Sequence, residues 1–292
     1  MGTFVGHLVP GLALVFLGLW HTINTIRSYF LKGSNKFVLK FWYPLKTPFC
    51  ILANLDLILV LSFSLFAILI QIFDIQNLRF SFKLDSIEHA TIFLQLLIFS
   101  SFSLFTELTR LTESMSCVSG ILAASVFGQE LFLLHYHSTD HVGLEGHYHW
   151  LMQLIVCVSF LAALYAAASP TSFPPALILS LSVVFQGCWF INMGFVLWVP
   201  DFAPRGCDSL RGEAVVCGTH EADVRARALA NLQFCWIFSS ILIFVASMCI
   251  AFGRQCTSRR ESIEYEQLSS PGPRDPLSTV GFKQIQLSCR VK

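Results

Sequence analysis

Apolar residues dominate this chain and leave few charges to cover a surface that faces water. Hydrophobic residues make up 54% of its 292 residues and charged residues 13%, against roughly 25% charged residues in soluble domains. This composition, with a mean hydropathy of +0.64, excludes an ordinary soluble fold, and the net charge of +1 gives no reason to expect a nucleic-acid partner.

Seven segments are long and apolar enough to cross a membrane, since a spanning helix needs about 20 mostly apolar residues. In chain order they are Thr3–Ile23, Cys50–Phe73, Ala90–Phe105, Met115–His135, Tyr148–Ala168, Ala176–Val199 and Ala228–Phe252. The third is the shortest, because Glu88 and Glu107 bracket it, and a tilted or half-buried helix is the alternative there. The first lacks the positive residues and cleavage site of a signal peptide. The sequence therefore predicts an all-α polytopic bundle of seven transmembrane helices over residues 1–252.

The composition changes sharply after Phe252. Residues 253–292 are polar and contain three prolines, and such a segment buries too little apolar surface to become ordered. We predict a disordered cytosolic tail. Tyr265 and Leu268 fit the tyrosine-x-x-bulky-apolar form that sorting adaptors bind, and Cys256 is a palmitoylation candidate.

Lysine and arginine residues near the ends of the spans predict the orientation, because they favour the cytosolic side. The odd-numbered connections and the tail carry 13 of them, and the N-terminus and even-numbered connections carry 6. We therefore expect a lumenal or extracellular N-terminus and a cytosolic C-terminus, in the endomembrane system or the plasma membrane. Cys207 and Cys217 then lie in the sixth connection on the oxidising side, where they would form a loop disulfide; two free cysteines are the alternative.

Imidazole groups crowd the predicted outer side of the bundle around the fourth connection. The candidate polar site consists of Glu130, His89, His135, His137, His141 and His149. Such a cluster could bind zinc or another borderline metal, or titrate between pH 5 and 8 as a proton site. Packing of amphipathic histidines at the membrane interface is the alternative. The zinc-protease motif is absent, because Ser138 rather than Glu follows His137.

Carboxylates inside apolar segments also require an explanation. A charge at the bilayer centre costs roughly 2.5–3.5 kcal/mol, so we expect Glu130 to face the bundle interior and to have a partner. The candidate partners are Gln129, Gln153, His149, His89, Gln186 and Asn192. Asp56 and Glu107 are expected to extend toward the cytosolic side, with an ion pair between Glu107 and Arg110 as one interpretation.

Glycines recur at helical spacing in the first and sixth spans. Gly11 and Gly18 are seven residues apart, as are Gly187 and Gly194, so each pair stays on one helix face. Small residues on one face allow helices to approach closely in membranes. We predict that these faces are packing surfaces.

Three stretches resemble the transmembrane protein 45 family. They are the opening MGTFVGHLVPG with the later Gly18-Leu19-Trp20-His21, the sixth-span sequence from Gln186 to Leu197, and the stretch from Glu130 to His149. The likeness covers about residues 1–250, and the sixth connection with its two cysteines is more similar to the plant branch. The resemblance implies a multi-pass membrane protein of undefined biochemistry. The chain departs from the family in its second connection, which has few histidines and glycines, and at Ile191-Asn192-Met193.

A non-enzymatic protein of trafficking, signalling or membrane organisation is the leading hypothesis, with the lipid bilayer and sorting adaptors as partners. The alternative is a lumen-facing metal site that serves a transporter or a seven-helix zinc hydrolase. Those hydrolases place three His and an Asp inside the bundle, whereas the histidines here gather at one loop. A proton-linked transporter that uses Glu130 is a third hypothesis.

Overall fold

A computed structural model describes residues 3–33, 36–44, 53–74, 79–80, 83–139, 143–208 and 214–269. This part of the chain contains seven helices that are long and apolar enough to cross a membrane. The helices are Phe4–Lys32 (α1), Leu55–Ile72 (α2), Leu84–Leu108 (α3), Ser116–Thr139 (α4), Leu144–Ala168 (α5), Phe173–Trp198 (α6) and His220–Ser269 (α7). The predicted all-α bundle of seven helices is confirmed.

The third helix is longer than the sequence indicated. It extends past both Glu88 and Glu107, and its apolar span covers Ser86–Leu108. The two acids therefore lie within the ends of the helix and do not bound it. The helix is therefore long and apolar enough to cross a membrane along its full length.

Successive helices run in opposite directions, so the two termini lie on opposite sides of the bundle. The N-terminal side carries the start of α1, the end of α2, the start of α3, the end of α4, the start of α5 and residues 199–208 and 214–219. The C-terminal side carries residues 33 and 36–44, the α3–α4 and α5–α6 turns and the end of α7. On that side the amide of Leu39 donates to the carbonyl oxygen of Pro170 at 2.7 Å, so the first connection packs against the α5–α6 turn.

The helices form two groups joined through α4. Helices α1, α5 and α6 pack closely, with α7 against them, while α2 packs chiefly on α3. Helix α4 contacts both α3 and α5. The α2–α3 pair therefore stands beside the main group rather than within it.

Glycines bring α1 and α6 into close contact. A Cβ atom on Gly18 would lie 2.6 Å from the backbone nitrogen of Val184, and one on Gly187 would lie 2.6 Å from that of Val15. Because neither position has room for a methyl group, the prediction that these glycines form a packing surface is confirmed.

The densest core lies between α5, α6 and α7. Tyr148 and Trp189 are fully buried and stack with ring centroids 5.1 Å apart. The Tyr148 hydroxyl donates to Oε1 of Gln233 at 2.6 Å, and Asn192 donates to the same oxygen at 3.1 Å. Polar side chains from three helices thus satisfy one another inside the bundle, as buried polar groups must.

A small hairpin covers this core on the N-terminal side. Earlier in the chain, Phe73–Asp74 (β1) pairs antiparallel with Arg79–Phe80 (β2). The covering hairpin pairs Cys207–Asp208 (β3) antiparallel with Val216–Cys217 (β4). Cys207 and Cys217 form a disulfide. Cys207 and Val215 are buried in the core, and the amide of Val215 donates to Leu197 at 3.0 Å.

The last helix continues beyond the predicted boundary of order at Phe252. Helix α7 extends through Ser269 and has 50 residues, about 75 Å at 1.5 Å per residue, whereas the hydrocarbon core is about 30 Å thick. Residues 254–269 contain no glycine or proline and are rich in Arg, Glu and Gln, which favour helix. Residues 270–292, the remainder of the predicted tail, lie outside the described residues.

Candidate functional site

Glu130 lies on the helix face of α4 that borders an internal cavity. It lies on α4, four and seven residues after Val126 and Ala123, so all three share one helix face. Val126 and Ala123 line an internal cavity. Glu130 is half-buried, and within the described part of the chain its carboxyl group has no hydrogen bond or ion pair.

The partners predicted for Glu130 are engaged elsewhere. Gln129 donates to the carbonyl oxygen of Thr91 on α3 at 3.1 Å. Gln186 donates to Ser159 at 2.7 Å, and Asn192 bonds Gln233. Each amide joins two helices, so these residues stabilise packing and do not surround the carboxylate.

The candidate histidines do not converge in the described residues. His135 Nδ1 lies 3.3 Å from Oε1 of Gln153, and His149 Nδ1 lies 2.9 Å from the carbonyl oxygen of Glu145. His89 lies on α3. His141 and the side chain of His137 lie outside the described residues, and among the side chains that are described no group of three or more His, Cys, Asp or Glu is placed to hold a metal ion.

The structure instead brings His149 near a histidine from the other end of the sequence. His7 and His149 are both buried, with ring centroids 6.1 Å apart. The ring of His7 also lies 4.4 Å from that of Trp198, and His7 Nδ1 lies 3.0 Å from the carbonyl oxygen of Thr3. These contacts form an aromatic cluster at the N-terminal side that sequence spacing did not indicate.

An internal cavity lies in the gap between the α2–α3 pair and the main helix group. Its volume is about 100 Å³ and it is partly open. Most of its lining is apolar. Five helices contribute lining side chains, among them Leu17 and His21 of α1, Asp56 of α2, Phe99 of α3, Ala123 of α4 and Val183 of α6. Residues 39–42 close it on the C-terminal side.

Polar groups gather at the C-terminal side of this cavity. His21, Thr25 and Asp56 line it, and Tyr43 joins them because its hydroxyl lies 2.9 Å from Thr25 Oγ1 and its ring 5.5 Å from that of His21. Asp56 accepts from two backbone amides, that of Tyr43 at 2.7 Å and that of Leu57 at 2.9 Å. We call His21, Thr25, Tyr43 and Asp56 the polar end of the cavity.

Tyr43 lies in the first connection and is buried. Burial raises the pKa of its phenol to about 12, although the hydrogen bond with Thr25 acts in the opposite direction. The phenol therefore stays protonated at neutral pH and is available to donate or accept through its hydroxyl.

Sequence reasoning did not find this site. The sequence placed His21 at the C-terminal-side end of the first span and placed Asp56 early in the second, but nothing in either segment showed that the two helices face one another. The available signal was that each is a polar residue within an apolar run. Such residues usually face the bundle interior or a cavity.

Glu107 hydrogen-bonds to residues other than Arg110, with which one interpretation of the sequence paired it. Its Oε2 accepts from the Trp42 indole at 3.2 Å and from the Thr112 hydroxyl at 2.8 Å. Arg110 is exposed in the α3–α4 turn, where its positive φ of 60° reverses the chain. The Trp42 contact fixes the first connection to α3, beside the cavity.

The candidate modification positions lie along the last helix. Tyr265 and Leu268 fall within its final turns. The Cys256 sulfur lies 3.4 Å from the carbonyl oxygen of Phe30, and the structure assigns it to a disulfide. A free thiol at Cys256 is therefore not what the structure shows, and palmitoylation stays a prediction.

Comparison with known families covers the second half of the bundle. Residues 116–250 match DUF716, a family of unknown function. The matched segment is just under half of the chain and runs from the start of α4 into α7. It includes Glu130 and the core of α5, α6 and α7. The DUF716 match leaves out α1, α2 and the first connection, which supply most of the polar end of the cavity.

Proposed function

We propose that this chain is a non-enzymatic multi-pass membrane protein whose helix bundle binds a small, mostly apolar ligand. The observation that carries the proposal is the cavity between the α2–α3 pair and the main helix group, with its apolar lining and its polar end. Ligand sites are commonly concave and apolar, with a few polar groups that orient the ligand. Such a protein would act in signalling, trafficking or membrane organisation.

Four of the polar side chains inside the bundle have hydrogen bonds that serve the fold, which favours a non-enzymatic protein. The carboxyl groups of Asp56 and Glu107 accept hydrogen bonds that fix the first connection. His149 and Gln186 likewise bond within or between helices. These contacts stabilise the fold.

Filling the cavity tests the proposal. We expect wild-type protein, purified in mild detergent, to retain a small molecule that native mass spectrometry detects, and Ala123→Phe to lose it, because Ala123 lines the cavity. Ile121→Phe is the matched control, since Ile121 lies on the same helix with 58% of its surface exposed. Equal retention by the Ala123→Phe and wild-type proteins would refute ligand binding in this cavity.

The DUF716 match supports membership of the transmembrane protein 45 family, which belongs to that wider family. The opening motif and the sixth-span motif point in the same direction, and the two cysteines of the sixth connection favour the plant-like branch. The sixth-span motif, the two cysteines and the Glu130–His149 stretch lie within the matched residues, and the opening motif lies outside them.

The proposed orientation places the N-terminal side in the lumen or outside the cell, in the endomembrane system or the plasma membrane. The charge bias of 13 against 6 supports it. An N-glycosylation acceptor inserted into the α4–α5 connection should be modified. Glycosylation of an acceptor placed in the tail would instead refute the proposed orientation.

The C-terminal side would then present Tyr265 and Leu268 to cytosolic sorting adaptors. We expect Tyr265→Ala to shift the steady-state distribution of a tagged protein between membranes. Tyr265→Phe, which keeps the ring and removes the hydroxyl, separates recognition of the hydroxyl from loss of the aromatic side chain. An unchanged distribution of the Ala variant would contradict the sorting role.

A second candidate function is proton-linked transport through Glu130. The observation that favours it is a carboxyl group that faces the bundle interior on the same helix face as two cavity-lining residues. In proteoliposomes placed in a more acidic buffer, a proton-linked transporter would carry protons inward and acidify the interior of the vesicles. Glu130→Gln would abolish this proton flux. Identical proton flux in the two proteins would exclude this function.

A further inference from the structure

We propose that the cavity binds a single-chain lipid with an uncharged hydroxyl head group, the chemistry of a monoacylglycerol or a long-chain alcohol. This inference rests on the proposed ligand-binding function and names the class of ligand. It follows from the size of the cavity, from its position between two helix groups and from the chemistry of its polar end.

The size of the cavity favours one aliphatic chain. Its volume is about 100 Å³, smaller than the engineered cavity of roughly 150 Å³ that binds benzene. A fused ring system such as a sterol is too large for this volume, as are two acyl chains side by side. A narrow chain segment fits, and it packs against apolar side chains such as Leu17, Phe99 and Val183.

The position of the cavity gives such a chain a path to the bilayer. The cavity is partly open and lies where α2 and α3 stand beside α1 and α6. The part of a chain that exceeds the enclosed volume would continue between these helices toward surrounding lipid. The polar end lies next to the first connection, on the C-terminal side of the bundle.

The polar end favours an uncharged head group with hydroxyls. His21 lines the cavity, and within the described residues its ring makes an aromatic contact with Tyr43 but no hydrogen bond. Its ring nitrogens provide one donor and one acceptor in the neutral form. A hydroxyl, which both donates and accepts, matches this pair.

The Asp56 carboxyl group selects against an anionic head group. Each of its oxygens accepts one backbone amide, and each oxygen of a carboxylate has capacity for a further hydrogen bond. Lys40 also lines the cavity, but it is exposed to solvent, whereas Asp56 is half-buried. A fatty-acid carboxylate at the polar end would therefore lie beside the like charge of Asp56, which is unfavourable in a medium of low dielectric constant. A ligand hydroxyl would instead donate to Asp56.

Three contacts hold the first connection over the polar end as a cover. The amide of Leu39 donates a hydrogen bond to the carbonyl oxygen of Pro170. The Trp42 indole donates to Glu107, and the amide of Tyr43 donates to Asp56. Each contact joins the connection to a different element, so the cover is fixed on three sides. The head group of a bound lipid would lie beneath it.

Photolabelling of full-length protein in phosphatidylcholine nanodiscs tests the inference. The probe is a monoacylglycerol with a diazirine in its acyl chain, and mass spectrometry identifies the labelled peptides. We expect labels on cavity residues such as Leu17 and Val183, and competition by unlabelled 1-oleoylglycerol. Oleic acid and a dioleoylglycerol should compete about five- to ten-fold less well, consistent with the loss of one or two hydrogen bonds or with poor fit.

Variants separate recognition of the head group from general access to the cavity. His21→Phe keeps an aromatic ring against Tyr43 and removes both nitrogens, so labelling should fall about five- to ten-fold. His135→Phe, on the N-terminal side and exposed, should label like the wild type. Ala123→Phe should remove cavity labelling even if His21→Phe folds poorly.

Labelling confined to exposed positions such as Phe132, or equal competition by oleic acid, would overturn the proposed ligand class. If the wild-type protein still retains a small molecule that Ala123→Phe loses, the cavity binds a ligand of another class. If neither retention nor cavity labelling occurs, the ligand-binding function itself fails.

Discussion

The close contact between α1 and α6 predicts that a larger residue at Gly187 destabilises the protein. A methyl group at this position would lie 2.6 Å from the backbone nitrogen of Val15, 2.7 Å from the carbonyl oxygen of Gly11 and 2.8 Å from a side-chain carbon of Val15. Contact distances below 3.0 Å are essentially never seen for a real Cβ. Since two of the three neighbours are backbone atoms, the helices themselves must separate.

The expected magnitude follows from two opposing effects. Overpacking of this kind costs about 1–3 kcal/mol, and backbone neighbours that do not rotate away place Gly187→Ala in the upper part of that range. Replacing glycine by alanine within a helix returns roughly 1 kcal/mol of helix propensity. We therefore expect Gly187→Ala to lower the free energy of unfolding by about 1–2 kcal/mol.

Unfolding in mixed micelles with increasing denaturing detergent, followed by circular dichroism, measures the effect. Gly253→Ala on α7 is the matched control. Its Cβ would lie 3.5 Å from a ring carbon of Phe30, an ordinary contact, so this variant should be neutral or more stable by up to about 1 kcal/mol. A Gly187→Ala protein as stable as the wild type would refute the close packing of α1 on α6.

Three further predictions address the connections. Cys207→Ser should lower the free energy of unfolding by about 3 kcal/mol through loss of the loop disulfide. In reducing buffer the variant and the wild type should be equally stable. A variant that is still less stable there would show that the cost comes from packing and not from the disulfide. Trp42→Phe removes a hydrogen bond to Glu107 and should cost about 1–2 kcal/mol, measured by thermal melting in detergent; a Thr112→Val background should show non-additivity, and additive losses would contradict a shared site. Because burial raises the pKa of Tyr43 to about 12, against about 10 in the unfolded chain, its contribution is complete below pH 10 and is lost as the pH rises toward 12. Tyr43→Phe should lack that part of the pH dependence, and identical profiles of unfolding free energy against pH would contradict the burial of the phenol.

Much of the architecture followed from the sequence because one physical requirement dominates it. A helix that crosses a bilayer must be apolar over about 20 residues, and that requirement can be read from local composition. It placed all seven helices, even the third, whose acids at Glu88 and Glu107 lie inside the ends of α3. The glycine spacing on α1 and α6 identified a packing surface for a similar reason, since helical periodicity alone decides which residues share a face.

The boundary of α7 was less accurate for a different reason. The sequence indicated where apolar residues end, at Phe252, but a helix ends where its backbone hydrogen bonds end. Arg, Glu and Gln sustain helix without burial, so α7 continues through Ser269. The loss of hydrophobicity marked the end of the apolar run rather than the end of the helix.

The candidate site depended on information that the sequence does not carry. Sequence spacing grouped Glu130 with nearby histidines, yet neighbours in sequence use their hydrogen bonds locally or across different helix pairs, as His149 does with Glu145. The groups that line one cavity, His21 and Asp56, come from α1 and α2 and reach the same cavity because of how the helices rotate and pack. By itself, therefore, the sequence determined which segments enter the membrane, since that depends on the composition of each segment. Only the tertiary structure decided which polar groups face one another, since that depends on helix rotation and on the gap that α2 and α3 leave beside α1 and α6.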